Sequence, residues 1–389
     1  MVKKKLKILI SCLQGKESYP IPAYSFWRAS FIEGCKEAGF EVLEASNVDW
    51  AEGLTYPTGS EELKKWRTKT WEKNLMFVRQ TLKKNSINLF LSYLYPRQVD
   101  VSSIKEIQKM GIPCVNFFCD NVREFQKIPN EFYSFNLNWV PEYEALSMYK
   151  TAGLPFINLP MPCWIPQKLR NISRHEEKAC TFIGSADILR QKLFGDAISM
   201  GANIKIYGSG WILKTKKKEE VKFLFKIKKY INDQKNIIYQ YGLRGVFVKI
   251  FDKIFPVKIK KIPVKNLGNL ISREELIRLT RDSMITLGTN RVPSLKYPQR
   301  YPLLYSRLRD IEAPMLGACY LTEFSEGLSH LYQIGKEIET YKTPEEMTEK
   351  IKELLNKSKK RQELRKSGQE KALNELSVPV SIAKILRRF

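Results

Sequence analysis

Histidine is scarce in this sequence, and the cysteines show none of the spacings typical of metal sites or disulfide frameworks. There are two histidines, His175 and His330, and neither has a recognisable acidic partner. The seven cysteines are odd in number, scattered, and include no C-x-x-C pair. A zinc ribbon, a disulfide framework and a catalytic histidine are therefore not expected, and free thiols fit a reducing cytosol.

Long apolar runs are also missing. No stretch reaches the roughly 18 apolar residues that a membrane-spanning helix needs. The first residues, MVKKKLKILISCLQG, place lysines before an apolar stretch, but that stretch is shorter than the signal-peptide core of about 7 to 15 residues. We interpret it as the buried first strand of an α/β domain and expect a cytoplasmic protein.

What the sequence does have is length and positive charge. Its 389 residues, 43% of them hydrophobic, are enough for two domains with cores of their own. Lys and Arg number 66 against 41 Asp and Glu, a formal net charge of +25. Such an excess indicates a polyanion nearby, which could be nucleic acid, an anionic membrane or a phosphorylated substrate.

Strand and helix patterns alternate along the first half of the chain. An apolar strand at Leu6–Leu13, a helical pattern at Ala23–Gly39 and a strand at Phe40–Leu43 make one βαβ unit. Further strand patterns follow at Ile87–Leu94 and Pro113–Phe118. We predict a doubly wound, Rossmann-like domain over residues 1–170, with a parallel sheet.

The alternation begins again in the second half. Strands are predicted at Lys178–Ile183 and Asn203–Tyr207, and a helix at Leu303–Leu316. We predict a second Rossmann-like domain over 171–350, followed by C-terminal helices over 351–389. Two such α/β domains in tandem match the GT-B architecture of nucleotide-sugar glycosyltransferases, whose domains face a cleft, although dinucleotide enzymes and binding proteins share this outline.

One motif in the second half has side chains suited to binding a nucleotide. Arg309 and Glu312, in the run R-D-I-E, are three residues apart and share a face of the predicted helix. A carboxylate can accept hydrogen bonds from both hydroxyls of a ribose, and a guanidinium can pair with a diphosphate. The alternative is an ordinary Arg/Glu ion pair on a solvated helix face.

This motif carries a family resemblance. The run R-x-x-E-A-P-x-x-G-A-x-x-L-T-E from Arg309 to Glu323, followed by Gly327-Leu, resembles the C-terminal domain of the CgeB-like (spore maturation protein) glycosyltransferases, relatives of glycosyltransferase family 4. The resemblance implies that Glu312 binds the ribose of the donor. The first glutamate of the usual E-x7-E pattern is replaced by Leu304.

The resemblance also implies a donor site at the ends of predicted strands. Phe182-Ile-Gly-Ser and Tyr207-Gly-x-Gly-Trp are strand-to-loop turns, and Gly288-Thr-Asn-Arg is a third. The donor-binding residues we expect are Gly184, Ser185, Arg190, Gly208, Gly210, Asn290, Arg309 and Glu312. No D-x-D triplet occurs, so we predict no metal site, and no cofactor other than the nucleotide-diphosphate sugar, which is the donor substrate.

Two acidic residues are candidate catalytic bases in the first half. Asp120, in Phe118-Cys-Asp-Asn, resembles the Asp-Asn that follows a strand in the same family, and it either acts as a general base or caps a loop. Glu17, in the loop after the first strand, is the second candidate. The acceptor would be a glycan, a lipid-linked saccharide or a protein, in bacterial surface glycan synthesis.

A basic insertion lies within the second domain, at 214–265. Lys214 to Lys265 contain 16 Lys/Arg and 4 Asp/Glu, interleaved with aromatic residues. We predict that the insertion lies on an anionic membrane, against the alternative of a solvated basic hairpin. The leading function is a cytoplasmic glycosyltransferase that moves a sugar from a nucleotide-diphosphate sugar to an acceptor hydroxyl, and the insertion would add a peripheral membrane location. The alternatives are a nucleic-acid-binding protein, which no recognised motif supports, and a non-catalytic GT-B protein that binds sugar nucleotides.

Overall fold

In the computed structural model, the residues described are 5–15, 19, 24–173, 175–211 and 241–389. The chain divides into two compact units, one formed by Met1–Ile165 with Asn374–Phe389 and the other by Pro166–Leu373. Each unit is built on a parallel β-sheet with helices between its strands. The predicted α/β class is therefore confirmed.

The sheet of the first unit has six strands in the order β2-β1-β3-β4-β5-β6, all parallel. These strands are β1 (Lys7–Cys12), β2 (Glu41–Leu43), β3 (Leu89–Tyr93), β4 (Cys114–Phe117), β5 (Leu137–Val140) and β6 (Phe156–Asn158). Every residue of the four inner strands is buried. Helices cover both faces of such a sheet, which is why these strands appear in the sequence as short continuous apolar runs.

Five helices connect these strands: α1 (Tyr24–Glu37), α2 (Glu61–Leu82), α3 (Val101–Lys109), α4 (Asn121–Glu124) and α5 (Leu146–Ala152). Local signals fix their ends. The Ser60 hydroxyl accepts a hydrogen bond from the Leu63 amide at the start of α2, and Asp100 does the same for the Ser103 amide in α3. Gly153 ends α5 in the left-handed conformation.

The sheet of the second unit has five parallel strands in the order β13-β12-β9-β7-β8. They are β7 (Glu177–Ile183), β8 (Ile204–Tyr207), β9 (Ser283–Leu287), β12 (Tyr320–Glu323) and β13 (Glu339–Tyr341). A separate antiparallel pair joins β10 (Arg291–Val292) to β11 (Leu303–Leu304). The carboxyl ends of β7 and β9, which pair with each other, therefore lie together at one edge of the sheet.

The helices of the second unit are α6 (Ile188–Ser199), α7 (residues 241–254), α8 (Arg273–Asp282), α9 (Arg309–Met315), α10 (Glu326–Leu331), α11 (Pro344–Asn356) and α12 (Ser358–Glu375). Side chains cap the amino ends of two of these helices: the Ser272 hydroxyl accepts from the Glu275 amide at the start of α8, and the Thr343 hydroxyl from the Glu346 amide at the start of α11. Within the described ranges, no helix is long and apolar enough to cross a membrane.

One predicted helix is wrong in its first half. The sequence predicts a helix over Leu303–Leu316, but Leu303–Leu304 form β11, and α9 begins only at Arg309. The β11 backbone pairs with β10, with Arg291 opposite Leu304. Pairing with a distant strand has therefore overridden the local helical pattern.

The last helix, α13 (Val378–Leu386), belongs to the first unit although it lies at the other end of the chain. It packs against α1, and Val378 occupies the space beside Gly34. A Cβ atom built on Gly34 would lie 2.5 Å from the Val378 Cγ1 atom. The close contact between these two helices therefore requires glycine at that position.

Candidate functional site

A cavity of about 210 Å³ lies in the second unit, beside the carboxyl ends of β7 and β9. It is lined by Phe182, Ile183, Arg190, Gly288, Thr289, Arg307, Leu308, Arg309 and Glu312. Ligands bind at this edge of parallel sheets, where the strands end and the loops begin. The cavity brings together three of the residues that the sequence analysis assigned to donor binding, namely Arg190, Arg309 and Glu312.

Arg309 and Glu312 form an ion pair on the wall of this cavity. Their side chains approach to 2.8 Å between Nη1 and Oε2, three residues apart on α9. Both are largely buried, with side-chain exposures of 23% and 15%. The ion pair that the sequence allowed is therefore present, but it borders a cavity rather than a fully solvated face, and the guanidinium holds the carboxylate in one place.

Asp310 explains why α9 presents these two side chains to the cavity. Its carboxylate is fully buried and accepts hydrogen bonds from the Tyr320 hydroxyl at 2.8 Å, the Thr322 hydroxyl at 3.1 Å and the Ser306 hydroxyl at 3.0 Å. Burial raises the pKa of Asp310, while the hydrogen bonds act in the opposite direction. This anchor fixes the rotation of α9. The sequence analysis missed it, although Asp310 lies inside the motif between Arg309 and Glu312.

Arg190 reaches the cavity from the first turn of α6. Its Nη1 atom donates to the Ser185 carbonyl at 2.8 Å, and its Nε atom donates to the Thr289 hydroxyl at 3.2 Å. Its guanidinium also lies 3.3 Å from the Asp187 carboxylate. Burial lowers the pKa of Arg190, and the nearby guanidinium of Arg307 acts in the same direction. Two arginines are thus held close together in a partly dehydrated site.

The charge of the cavity wall is consequently positive. Arg190, Arg307 and Arg309 face one carboxylate, that of Glu312. Arg307 was not among the predicted donor-binding residues. Its position two residues before Arg309 was the one signal in the sequence that placed it near the site. Guanidinium groups that are crowded by like charge gain most when an anion such as a diphosphate joins them, because it offsets both their repulsion and their lost hydration.

The four predicted residues of the two glycine turns do not line this cavity. The turns contact each other instead: the Gly184 amide donates to the Tyr207 carbonyl at 2.9 Å. Gly208 has φ of 132°, and a Cβ built on it would lie 2.2 Å from the Gly184 carbonyl oxygen. Ser185 and Gly210 are exposed on the same two turns. Glycine at position 208 is therefore required for the close approach of the turns.

The amino end of α6 is already occupied by a side chain. The Asp187 carboxylate accepts from the amides of Leu189 at 3.0 Å and Arg190 at 2.9 Å. These helix-terminal amides are the groups that would otherwise bind a phosphate. Positive charge for an anion at this edge therefore comes from arginine side chains rather than from the end of α6.

Asn290, the remaining predicted donor residue, is fully buried beside the cavity loop. Its side-chain amide donates to the Glu323 carbonyl at 2.8 Å. The Glu323 carboxylate, 2% exposed, accepts from the Arg291 Nε atom at 2.9 Å. This buried pair fastens the loop after β9 to the end of β12. The sequence does not predict this ion pair, because Arg291 and Glu323 are far apart in the chain and no motif contains both.

Asp120 lies at the carboxyl end of β4 in the first unit, immediately before α4. It has a left-handed backbone, with φ of 69°, which is uncommon for a residue other than glycine. Its side chain makes no capping hydrogen bond to α4. The alternative role, holding a loop by capping, therefore does not take the form of a cap on α4. The role as a base stays a prediction.

A buried polar network continues from Asp120. The side-chain Nδ2 of Asn121 donates to the Glu142 carboxylate at 2.6 Å, and the Tyr149 hydroxyl donates to the side-chain Oδ1 of Asn121 at 2.9 Å. Burial, helped by the negative charge of Asp120, raises the pKa of Glu142 to about 8. Glu142 is fully buried, and its Oε1 atom has no hydrogen-bond partner. A protonated carboxyl group is the form that such a site favours.

The second candidate base, Glu17, lies outside the described residues. A cavity of about 690 Å³ lies elsewhere in the first unit and includes Tyr19, Asp49, Trp66 and Lys69 in its lining. Asp120 does not line it. Within the described ranges, no group of three or more His, Cys, Asp and Glu side chains is arranged to hold a metal ion.

Comparison with known proteins supports the fold and the class of enzyme. Residues 251–387 match a family model described as glycosyl transferase-like, and this range contains α9 and its motif. No curated protein sequence matches the chain. The CgeB-like resemblance remains an expectation from the sequence, because the matching model covers about a third of the chain and names a broader group.

Solved structures match over almost the whole chain. HepE from Anabaena, in complex with UDP and glucose, is 13% identical with a TM-score of 0.58, covering 99% of this chain and 100% of that one. Sucrose-phosphate synthase from Thermosynechococcus elongatus is 11% identical, with a TM-score of 0.54 and 99% coverage of both chains. A glycosyltransferase from Rickettsia africae is 12% identical, with a TM-score of 0.55 and coverage of 99% and 97%. At these identities the likeness shows the fold, which is that of GT-B glycosyltransferases.

Proposed function

We propose that this protein is a glycosyltransferase that binds a nucleotide-diphosphate sugar in its second unit. The observation that carries the proposal is the cavity at the ends of β7 and β9, where three arginines and one glutamate converge. The match of residues 251–387 to a glycosyl transferase-like family model supports it. The solved complexes of HepE from Anabaena, one with UDP and glucose and one with UDP-glucose, support the class of donor.

Each charged side chain has a role in this proposal. Glu312 accepts hydrogen bonds from the two hydroxyls of the ribose, in the position to which Arg309 holds it. Arg190 and Arg307 meet the diphosphate, and their charge stabilises the nucleoside diphosphate as it leaves. Arginine side chains thereby supply the positive charge that a metal ion supplies in other transferases, and we propose that the reaction needs no metal.

The acceptor side of the reaction belongs, in this proposal, to the first unit. Asp120 acts as the general base that takes the proton from the acceptor hydroxyl. The support is its place at the carboxyl end of β4, the edge of a parallel sheet at which ligands bind. We further propose an acceptor used in bacterial surface glycan or glycoconjugate synthesis, with a net charge of +25 favouring an anionic one.

The cysteines support a reducing compartment for this activity. All seven are buried, and none of them forms a disulfide bond. Burial raises the pKa of Cys35 and Cys319 to about 12, so these thiols stay protonated and unreactive at neutral pH. Unpaired cysteines without any bridge are usual in the cytoplasm.

Ligand-induced thermal stabilisation tests the donor site directly. The full chain is melted with UDP, GDP, dTDP and CMP sugars, and the sugar nucleotide that binds raises the melting temperature. Glu312→Ala removes a charged hydrogen-bond partner, costing about 1.5 to 3 kcal/mol of binding, or more than tenfold in affinity. Glu326→Gln, on the exposed start of α10, is the matched control.

The outcomes separate three conclusions. Loss of donor binding and of transfer in Glu312→Ala, with an unchanged control, supports the assignment. Unchanged nucleotide affinity in calorimetry would show that Glu312 is only the partner of Arg309. Donor binding by the native protein without transfer to any acceptor would indicate a non-catalytic sugar-nucleotide-binding protein, and addition of EDTA tests the metal independence.

A further inference from the structure

Helix α7 turns an apolar face toward solvent. Leu243, Phe247, Ile250 and Ile254 are 70%, 69%, 50% and 62% exposed. Their spacing of four, three and four residues places all four on one stripe of the helix. A surface helix normally points such a stripe into the core, so the orientation of α7 is the reverse of the usual one.

The packing of the opposite side fixes this orientation. Val248 is 5% exposed and Gly245 is buried, and both lie on the far side of the helix from the stripe. The Asp252 carboxylate, on that same side, accepts a hydrogen bond from the Gln299 amide at 2.9 Å. The helix therefore packs the small side of Gly245 and Val248 inward, holds the half-buried Asp252 by a hydrogen bond, and leaves the stripe exposed.

Positive charge borders the stripe on both sides. At 100° per residue, the exposed side chains of Arg244 and Lys253 fall on opposite flanks of it. Residues 241–265 contain seven Lys and Arg against one acidic residue, Asp252. The surface thus combines apolar area with a cationic border, the composition of helices that lie in the headgroup layer of anionic bilayers.

A neighbouring loop adds aromatic side chains to the same surface. Tyr297 is 40% exposed and lies under the Arg244 guanidinium, 5.0 Å from the ring centre. Tyr301 is 68% exposed, and the adjacent Arg300 lies over the ring of Phe255 at 5.6 Å. Tyrosine is enriched where one end of a side chain is apolar and the other contacts water, as at a membrane surface.

We propose that this surface, formed by α7 and the loop around Tyr297 and Tyr301, binds the anionic headgroup layer of a lipid bilayer. The apolar stripe inserts among the acyl chains closest to the headgroups, and the flanking cations meet lipid phosphates. The proposal is independent of the donor site.

Two other occupants fit the surface less well. A second copy of the chain, related by a two-fold axis, would bring the cationic borders of both stripes together, and that repulsion opposes a dimer. Nucleic acid would pair with the cations and could stack on the tyrosines, but three of the four stripe residues are aliphatic and would be left without an apolar partner. Lipid uses the apolar stripe and the charge at once.

Vesicle flotation with the full chain tests the proposal. Vesicles of phosphatidylcholine alone are compared with vesicles containing about one quarter phosphatidylglycerol. The test variant is Phe247→Ser with Ile250→Ser, which removes apolar area without changing charge. The matched control is Met76→Ser with Tyr133→Ser, because these side chains are each 55% exposed in the first unit.

The native protein and the control variant should float with the anionic vesicles only. The Phe247→Ser/Ile250→Ser protein should bind the anionic vesicles at least about tenfold more weakly than the native protein. Raising the salt from about 0.05 M to about 0.5 M, which shortens the Debye length from about 14 Å to about 4 Å, should weaken native binding. Both substituted side chains are exposed, so the melting temperature should not change.

Three results would overturn the proposal. The native protein ignores anionic vesicles at low salt; the stripe variant floats as well as the native protein; or sedimentation velocity shows a native dimer that the stripe variant dissociates. A donor-induced thermal shift is measured on each protein in parallel. Its absence from all of them would count against the proposed enzyme activity and leave the lipid result standing.

Discussion

Glu142→Gln should stabilise the first unit, and the gain should grow with pH. The Glu142 carboxyl is fully buried, and its raised pKa of about 8 compares with 4.5 for an ordinary glutamate. In the folded protein the carboxyl therefore keeps its proton up to about pH 8, whereas the unfolded chain loses it near pH 4.5. Unfolding releases a proton throughout this window, so the native protein loses stability as the pH rises.

The structure sets the limit of this effect. A difference of about 3.5 pKa units, at about 1.4 kcal/mol for each unit, corresponds to about 5 kcal/mol at pH 8 and above, and to nothing below about pH 4.5. Glutamine removes the titration and keeps a carbonyl oxygen for the Asn121 amide, which donates to Glu142 at 2.6 Å. The variant should therefore match the native protein at pH 4.5 and exceed it by several kcal/mol at pH 8.

Tryptophan fluorescence during urea unfolding is the assay, because six of the seven tryptophans lie in the first unit and only Trp211 lies in the second. Glu72→Gln, on the exposed face of α2, is the matched control and should leave the pH profile unchanged. A gain that is equal at pH 5 and pH 8, or a loss at pH 8, would refute the reasoning, since it would show that Glu142 is ionised in the native protein.

Further predictions concern both units. Arg190→Ala and Arg307→Ala should each weaken the binding of a nucleoside diphosphate on the order of tenfold or more, and should change the affinity for the bare nucleoside little, as measured by calorimetry. Equal losses of affinity for the two ligands would show that these arginines have a structural role. Asp120→Asn should lower turnover in a transfer assay while the donor-induced thermal shift persists, and near-native turnover would remove Asp120 from the mechanism. Gly208→Ala should destabilise the second unit by about 2 kcal/mol or more in urea unfolding, because a Cβ there meets a carbonyl oxygen. Gly201→Ala is the control, because Gly201 has φ of 94° but no atom near the added Cβ, so this variant measures the conformational strain alone. An equal loss of stability in both variants would show that the contact with the Gly184 carbonyl contributes nothing.

The sheets were predictable because their strands are short apolar runs between turn signals. Leu6–Leu13 and Pro113–Phe118 each contain an observed strand, and Ser60 and Ser272 begin helices as capping residues should. The error at Leu303–Leu316 has a physical cause. Helical periodicity is a local property, whereas the pairing of β11 with β10 depends on a strand that no local pattern reveals.

The site was predictable only where neighbouring residues carry it. Arg309 and Glu312 lie within one helical turn, so the motif alone brings them together. The family resemblance predicted that Arg190 belongs to the donor site, and Arg190 lines the same cavity. Contacts between residues far apart in the chain were not predicted. Examples are the ion pair of Arg291 with Glu323 and the hydrogen bond of Asn121 to Glu142, each of which joins residues at the ends of different strands. Strand order decides such contacts, and the sequence patterns do not specify it.

The position of α13 has a consequence for how the chain is made. The first unit contains the residues up to Ile165, and it is complete only when Asn374–Phe389 have also been synthesised, after every residue of the second unit. Until then the surface of α1 around Gly34, which Val378 covers in the finished protein, has no partner. The second unit is synthesised in between and has all of its residues first. The unit whose synthesis begins first is therefore completed last. A chain that ends before α13 would leave the surface of α1 around Gly34 exposed in the first unit.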